Sequence, residues 1–393
     1  MRRRCSRARR CAGVPVGPNG AEPLPLRNVS TYPASIPVLL SPEPCGPTGP
    51  FLLVLVPSAA EHAEQRQAVR DTWGGGTPPK PPETLQNAPQ MPETPRNAPK
   101  TPRNAPETPE NAPQTPRNAA ETFQNAPQMP ETPRNAPETP ENAPETPQNA
   151  AVAPSTRTIF VVGVPPSRAA SRALREEWWR HGDVLQGAFP DAYGTLTLKT
   201  LLLLRWAASR CPGARFLLKA DDDVFVNVPA LARHLRAPAL PRRLYLGRVH
   251  WWVPPNRDPS SPHHVPAALY PASRFPPYCS GTAYVLSRAA ALAVLAAAPQ
   301  VPFVGPEDVW VGLCARRAGL APRHTARLAG AMRVPLDGCC YGEVLFSAHR
   351  LRPDDMRKVW GVLTGGGNGC GALERALGVL RCRVMAARAG GGW

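Results

Sequence analysis

The sequence has no uninterrupted apolar run approaching the ~20 residues that a membrane-spanning helix needs. Phe51-Leu-Leu-Val-Leu-Val56 is far too short, and the six arginines of Met1 to Arg10 lead into Cys11-Ala-Gly-Val-Pro-Val-Gly-Pro rather than an apolar core. The expectation is neither a signal peptide nor a membrane anchor in the chain as written. None of the ten cysteines stands as Cys-x-x-Cys, so a structural zinc site lacks its usual spacing. No nucleic-acid motif is visible, and beyond the first ten residues the arginines are scattered rather than clustered. The formal charge of +17 therefore points away from nucleic acid, towards an anionic small substrate or an anionic membrane surface.

What is abundant is proline, and it is unevenly placed. Residues 77–154 hold 21 of the 53 prolines, no cysteine and a single aromatic, Phe123. A stretch with so little apolar surface cannot offset the entropy of ordering it. Within it, residues 83–149 repeat imperfectly every seven positions, as in Thr101-Pro-Arg-Asn-Ala-Pro-Glu107 followed by Thr108-Pro-Glu-Asn-Ala-Pro-Gln114. Proline in nearly every copy and the lack of an apolar seam exclude a coiled coil. The expectation is a disordered, extended, Pro-rich insertion, either a passive expansion or a peptide-binding tract.

Apolar strands flank that insertion. Phe51 to Val56 and Thr158-Ile-Phe-Val-Val-Gly-Val164 are continuous apolar runs, the pattern of strands buried on both faces. Glu61 to Trp73, Ser171 to Trp179 and Leu196 to Ser209 read as helices. Arg215-Phe-Leu-Leu-Lys219 and Tyr284-Val-Leu-Ser287 read as strands, the latter leading into an alanine-rich helix ending near Ala298. Strands alternating with helices predict an α/β domain with a mostly parallel central sheet. The expected organisation is a tail or stem at 1–44, a catalytic domain at 45–388, and the low-complexity insertion at 77–154 within it. Eight cysteines from Cys45 onward suit a disulfide-bearing protein of the secretory pathway, with buried free thiols as the alternative. The sequon Asn28-Val29-Ser30 agrees with the first reading.

Chemistry concentrates in two acidic places. In Phe216-Leu-Leu-Lys-Ala-Asp221-Asp222-Asp223-Val-Phe-Val-Asn227, three adjacent carboxylates repel one another between apolar runs. A divalent cation, magnesium or manganese, relieves that repulsion; a solvated acidic turn is the alternative. The cluster follows a strand, and open α/β sheets bind ligands beyond the carboxyl ends of their strands. The second place is Pro306-Glu307-Asp308-Val309-Trp310-Val311-Gly312. Two separate acidic sites permit one to hold metal while the other takes a proton.

Taken in order, Arg66-x-x-x-Arg70-Asp-Thr-Trp73-Gly, Phe216-x-x-Lys219-x-Asp-Asp-Asp223 and Glu307-Asp-Val309-x-x-Gly312 resemble the motifs of the β1,3-glycosyltransferase family. The resemblance runs from about Cys45 to Cys382, interrupted by the repeat. It implies a GT-A-like nucleotide-sugar-binding fold, manganese dependence, inversion at the anomeric carbon and a place in the Golgi membrane with a lumenal catalytic domain. Leu244 to Trp251, Phe275 to Tyr278 with Ser280-Gly-Thr282, Leu328 to Ala331, Cys339-Cys340-Tyr341 and Gly378 to Arg383 look like the ganglioside-acting members. Those members imply a UDP-galactose donor and, as acceptor, a terminal N-acetylgalactosamine on ganglio-series glycolipids.

By the same resemblance Asp221 and Asp223 would hold manganese, with His349 in Phe346-Ser-Ala-His349 completing the set. Asp222 would bind ribose or donor sugar, while Lys219, Arg66 and Arg70 would place positive charge near uracil and diphosphate. Trp73 would either stack on the donor or pack into the core. Asp308 would be the general base, with Glu307 as its substitute. Relatives often carry a glycosylation asparagine where Gly194 stands in Tyr193-Gly-Thr-Leu-Thr197. Transfer of N-acetylglucosamine on the same scaffold, or an inactive glycan-binding relative, are the alternative readings.

Overall fold

The computed structural model describes residues 32–75, 155–365 and 370–388. The proline-rich repeat, the sequon at Asn28 and the basic N-terminus lie outside these residues. The strands are β1 (Val38–Leu40), β2 (Leu52–Pro57), β3 (Thr156–Val164), β4 (Val184–Pro190), β5 (Phe216–Ala220), β6 (Phe225–Val226), β7 (Tyr245–His250), β8 (Tyr278–Ser287), β9 (Arg323–His324) and β10 (Ser347–Ala348). The helices are α1 (Ala63–Asp71), α2 (Arg168–His181), α3 (Leu196–Arg210), α4 (Val228–Leu235), α5 (Arg288–Ala297), α6 (Glu307–Arg317), α7 (Pro353–Thr364) and α8 (Ala372–Arg388).

Eight strands form one mixed sheet in the order β1-β4-β3-β2-β5-β8-β7-β9. Strands β4, β3, β2 and β5 run parallel to one another, and β8 runs antiparallel between β5 and β7. Two short strands, β6 and β10, pair separately. The α/β class with a mostly parallel centre is as expected.

The apolar runs are continuous because both sheet faces are covered. Along β2, Leu53 and Leu55 join a core built with α3, α5 and α6, whereas Leu52, Val54 and Val56 join one built with α1, α4, α7 and α8. Successive strand side chains point to opposite faces, so a strand between two helical layers needs apolar residues at every position. Chain crossings are fixed by three disulfides: Cys45–Cys211, Cys339–Cys370 and Cys340–Cys382. Among the described cysteines, Cys279 and Cys314 remain free and buried, while the other six form the disulfides that the disulfide-bearing reading expected.

The start and finish of the inserted segment lie close together. Leu52 and Thr156 are register partners, and the Thr158 hydroxyl donates to Gly74 O at 2.7 Å. No helix among the described residues is long and apolar enough to cross a membrane.

Candidate active site

The carboxyl end of β5 delivers Lys219 and the aspartates to one edge of the sheet. Asp221 leaves the strand with its N–H bonded to Thr282 O, which ties it to the antiparallel neighbour β8. The next residues turn and re-enter as β6, whose pairing with β10 sets Ala348 opposite Phe225. The chain after β10 is held by a bond from Leu351 N–H to Asp223 O at 3.0 Å. That local ribbon carries His349 across more than 120 residues of sequence to Asp223, with Nε2 3.3 Å from Oδ2.

Asp221, Asp223 and His349 each bring one ligand atom within 4.8 Å of the others. Two carboxylate oxygens and an imidazole nitrogen make a donor set suited to manganese or magnesium. His349 Nδ1 is buried without a hydrogen-bond partner, so this ring is not held by the hydrogen bonds that usually fix a structural histidine. The residues therefore fit a divalent cation. Burial pushes the Asp221 carboxyl above the usual range, against the opposing charge of Lys219.

Asp222 turns the other way. Its Oδ2 accepts from Ser58 Oγ at 2.6 Å and lies 2.9 Å from His62 Nδ1, both from the segment after β2. The Asp222 hydrogen bond raises the His62 pKa, against the effect of partial burial. The structure thus brings the two outer aspartates together and separates the middle one.

Glu307 and Asp308 open α6 on the far side of Lys219. Buried Lys219 donates to Asp221 Oδ1 at 2.6 Å and to Gly281 O, and its Nζ stands 2.9 Å from Glu307 Oε1 as an ion pair without hydrogen-bond alignment. Burial lowers the ammonium pKa, but Asp221 and Glu307 more than reverse this and raise it. Glu307 Oε2 also accepts from Thr200 at 3.1 Å and Tyr284 at 3.2 Å. Glu307 is 5% exposed, with its charge set against Lys219.

Asp308 is only partly buried, which leaves it accessible from outside. Its Oδ2 accepts from Gly281 N–H at 2.9 Å, and its Oδ1 from Val309 N–H at 2.8 Å. Burial and then the Glu307 charge push this carboxyl above its ordinary value, while the two N–H groups and Lys219 restrain the rise. A more basic carboxylate held in one orientation is equipped to take a proton. A side chain here would press on both acids: a Cβ at Gly281 would stand 2.9 Å from Glu307 Oε1 and 3.3 Å from Asp308 Oδ2.

Four residues expected to face the donor have internal partners. Arg66 is fully buried and uses all its N–H groups: on Glu177 at 2.7 and 2.6 Å, Ser58 Oγ at 3.0 Å, Ala60 O at 3.1 Å and Ala59 O. Arg70 holds Asp183 through two bonds of 2.8 Å and Glu177 through one of 2.7 Å, with its guanidinium over the Phe160 ring. Trp73 is 3% exposed with Nε1 3.3 Å from Met356 Sδ, so it packs rather than stacks. Lys219 bridges carboxylates instead of facing outward. A buried cation must satisfy its own charge first, and apart from Asp221, two residues from Lys219, the acids that do so are far away in sequence.

Sequence reasoning missed Ser58, His62, Glu177, Asp183 and Gly281. None lies inside the acidic motifs: Ser58 and His62 follow β2, Glu177 lies on α2, Asp183 precedes β4 and Gly281 lies in β8. The pairing of Arg66 and Arg70 at i and i+4 was the one available hint that a single acid would serve both.

A family model described as Galactosyltransferase matches residues 145–326, a span that includes Lys219, Asp221 to Asp223 and Glu307-Asp308. The chain is 36% identical over 393 residues to Beta-1,3-galactosyltransferase 4 of Rattus norvegicus, covering 90% of this chain and 86% of that protein. To the protein of the same name from Homo sapiens it is 35% identical over 398 residues, with the same coverage. An acetylgalactosaminyl-O-glycosyl-glycoprotein beta-1,3-N-acetylglucosaminyltransferase of Homo sapiens is 41% identical over 220 residues, covering 53% of this chain and 57% of that protein.

Proposed function

Because this chain belongs to the galactosyltransferase family and is a β-1,3-glycosyltransferase using a nucleotide-sugar donor and a glycan acceptor, we propose that it transfers galactose from UDP-galactose to terminal N-acetylgalactosamine of ganglio-series glycolipids. The observation that carries the reading is the Lys219 bridge between an Asp221–Asp223–His349 cluster and the Glu307-Asp308 pair. One site is suited to a donor diphosphate and the other to an acceptor hydroxyl. Similarity over nine-tenths of the chain to Beta-1,3-galactosyltransferase 4 supports galactose as the sugar.

Asp221, Asp223 and His349 would hold manganese, which when bound neutralises charge on the departing diphosphate. Asp222, fixed by Ser58 and His62, binds the ribose or the donor sugar. Arg66, Arg70 and Trp73 support that wall from behind. Asp308 accepts the proton of the acceptor hydroxyl as its oxygen bonds to the anomeric carbon. The bond from that carbon to the β-phosphate oxygen breaks at the same time, and its electron pair leaves on UDP. A single displacement inverts the anomeric centre, and inverting enzymes need one base for it. The three disulfides suit the oxidising lumen of the secretory pathway, and we place the enzyme in the Golgi.

The second reading, N-acetylglucosaminyl transfer, rests on the 41% identity to a β-1,3-N-acetylglucosaminyltransferase over about half the chain. A donor screen decides between them. Purified protein with manganese and an N-acetylgalactosamine-terminated glycolipid is assayed against UDP-galactose and UDP-N-acetylglucosamine. Preferential galactose transfer is expected. Preference for the other sugar overturns the donor assignment, and UDP binding without transfer from either favours an inactive glycan-binding relative.

A further inference from the structure

Tyr193 is a large aromatic residue that the core does not use. It is 55% exposed, and it opens a 3-10 turn (Tyr193–Thr195) that runs directly into α3. That end of α3 is fastened to the segment preceding the proposed base. Thr197 Oγ1 donates to Gly305 O at 2.6 Å and Val304 O at 3.0 Å, and one turn later Thr200 donates to Glu307. The tyrosine is therefore carried on the element that also positions the acidic pair.

Its hydroxyl is engaged from the other side. It lies 3.3 Å from His263 Nδ1, with the two rings 5.6 Å apart and nearly perpendicular. His263 belongs to the long connection between β7 and β8, which also presents Trp251 and Trp252, each more than half exposed. Val265 and Phe275 anchor that connection in the core, so His263 is set on a fixed base. Partial burial raises the Tyr193 phenol pKa, and the charges of Asp308 and Asp221 raise it further. The ring accordingly lies within electrostatic range of both halves of the site while remaining open to solvent.

A pyranose has an apolar C–H face that covers an aromatic ring and hydroxyls at its edge that bond to a phenol and an imidazole, so an aromatic with a polar handle suits it. The donor is accounted for by Asp221 to Asp223 on the opposite side of Lys219. We propose that Tyr193, braced by His263, is the platform on which the acceptor pyranose rests so that its attacking hydroxyl meets Asp308. This rests on the transferase reading above and adds to it the surface that selects the acceptor sugar.

The test compares Tyr193→Ala, Tyr193→Phe and His263→Ala using manganese, UDP-galactose and an N-acetylgalactosamine-terminated glycolipid, with UDP affinity measured separately by calorimetry. Tyr193→Ala should raise the acceptor KM at least tenfold, the equivalent of about 1.4 kcal/mol, with UDP affinity within twofold of the unaltered protein. Tyr193→Phe keeps the ring and should raise acceptor KM only about threefold, and His263→Ala should resemble it. An unchanged acceptor KM in Tyr193→Ala, or a parallel loss of UDP affinity, overturns the platform. If the unaltered protein transfers sugar to no such acceptor, the transferase reading fails first and this one with it.

Discussion

Replacing Arg66 by methionine separates a structural arginine from a donor-binding one. The guanidinium is fully buried, and its two bonds to Glu177 are two of the three that hold that carboxylate. Removing one partner of a buried pair costs about 3–5 kcal/mol, because the remaining charge is left uncompensated. Arg70 still reaches Glu177 Oε1 at 2.7 Å, which places the loss near the lower figure, ~3 kcal/mol. A domain of this kind holds only about 5–15 kcal/mol in total. At about 2–4 °C per kcal/mol, the midpoint of thermal unfolding should fall by roughly 6–12 °C. Burial pushes the Glu177 carboxyl up, but the two arginines hold it below its ordinary 4.5. A depressed folded value means the stabilisation is complete above the unfolded value and lost as pH falls through the folded one. The gap between variant and parent should accordingly be full at neutral pH and narrow below about pH 4. Melting curves at several pH values read the first effect; calorimetry with UDP and manganese below the transition reads the second. UDP affinity should stay within about threefold, since Ser58 and His62 still hold Asp222. A variant with parental melting and a tenfold weaker UDP complex would falsify the structural role.

Three further outcomes follow from the same geometry. Asp308→Asn should preserve UDP affinity while lowering turnover by about 10²–10⁴, and transfer at the parental rate would assign the base elsewhere. Because burial and Glu307 raise the Asp308 pKa above 3.8, the carboxylate form, and with it the rate, should fail as pH drops through that raised value, an acid limb visible in kcat profiles. Asp223→Ala should abolish transfer and remove the manganese dependence of UDP binding in calorimetry; retained manganese dependence would disqualify the cluster. Deleting residues 80–150 should leave folding and transfer largely unchanged, since the chain leaves and returns beside the Gly74–Thr158 bond. A chain that no longer folds would show that the repeat is not a passive insertion.

Much of the fold was legible because it is a pattern of burial. Phe51 to Val56 and Thr158 to Val164 read as doubly buried strands from their unbroken apolar character, and both sit in the centre of the sheet. Leu196 to Ser209 and the alanine-rich run after Ser287 read as helices and are α3 and α5. The antiparallel course of β8 was not legible, because an apolar strand carries no mark of its direction. Nor were the short strands β6 and β10, which are two residues each and below any periodicity.

The sequence by itself determined the family, the sheet class and the two acidic places, because each is written in contiguous residues. The family resemblance implied which of the aspartates go with His349, and the tertiary structure supplied the contacts that hold them. Two outer aspartates meet a histidine through the β6–β10 ribbon, while the middle one turns to Ser58 and His62. The cations of the first motifs, Arg66, Arg70 and Lys219, are buried beside Glu177, Asp183, Asp221 and Glu307. The physical reason is common to all of them. A local motif fixes which charges are present, but a charge spends itself on the nearest opposite charge, and distance in the fold is set by strand order rather than by spacing along the chain.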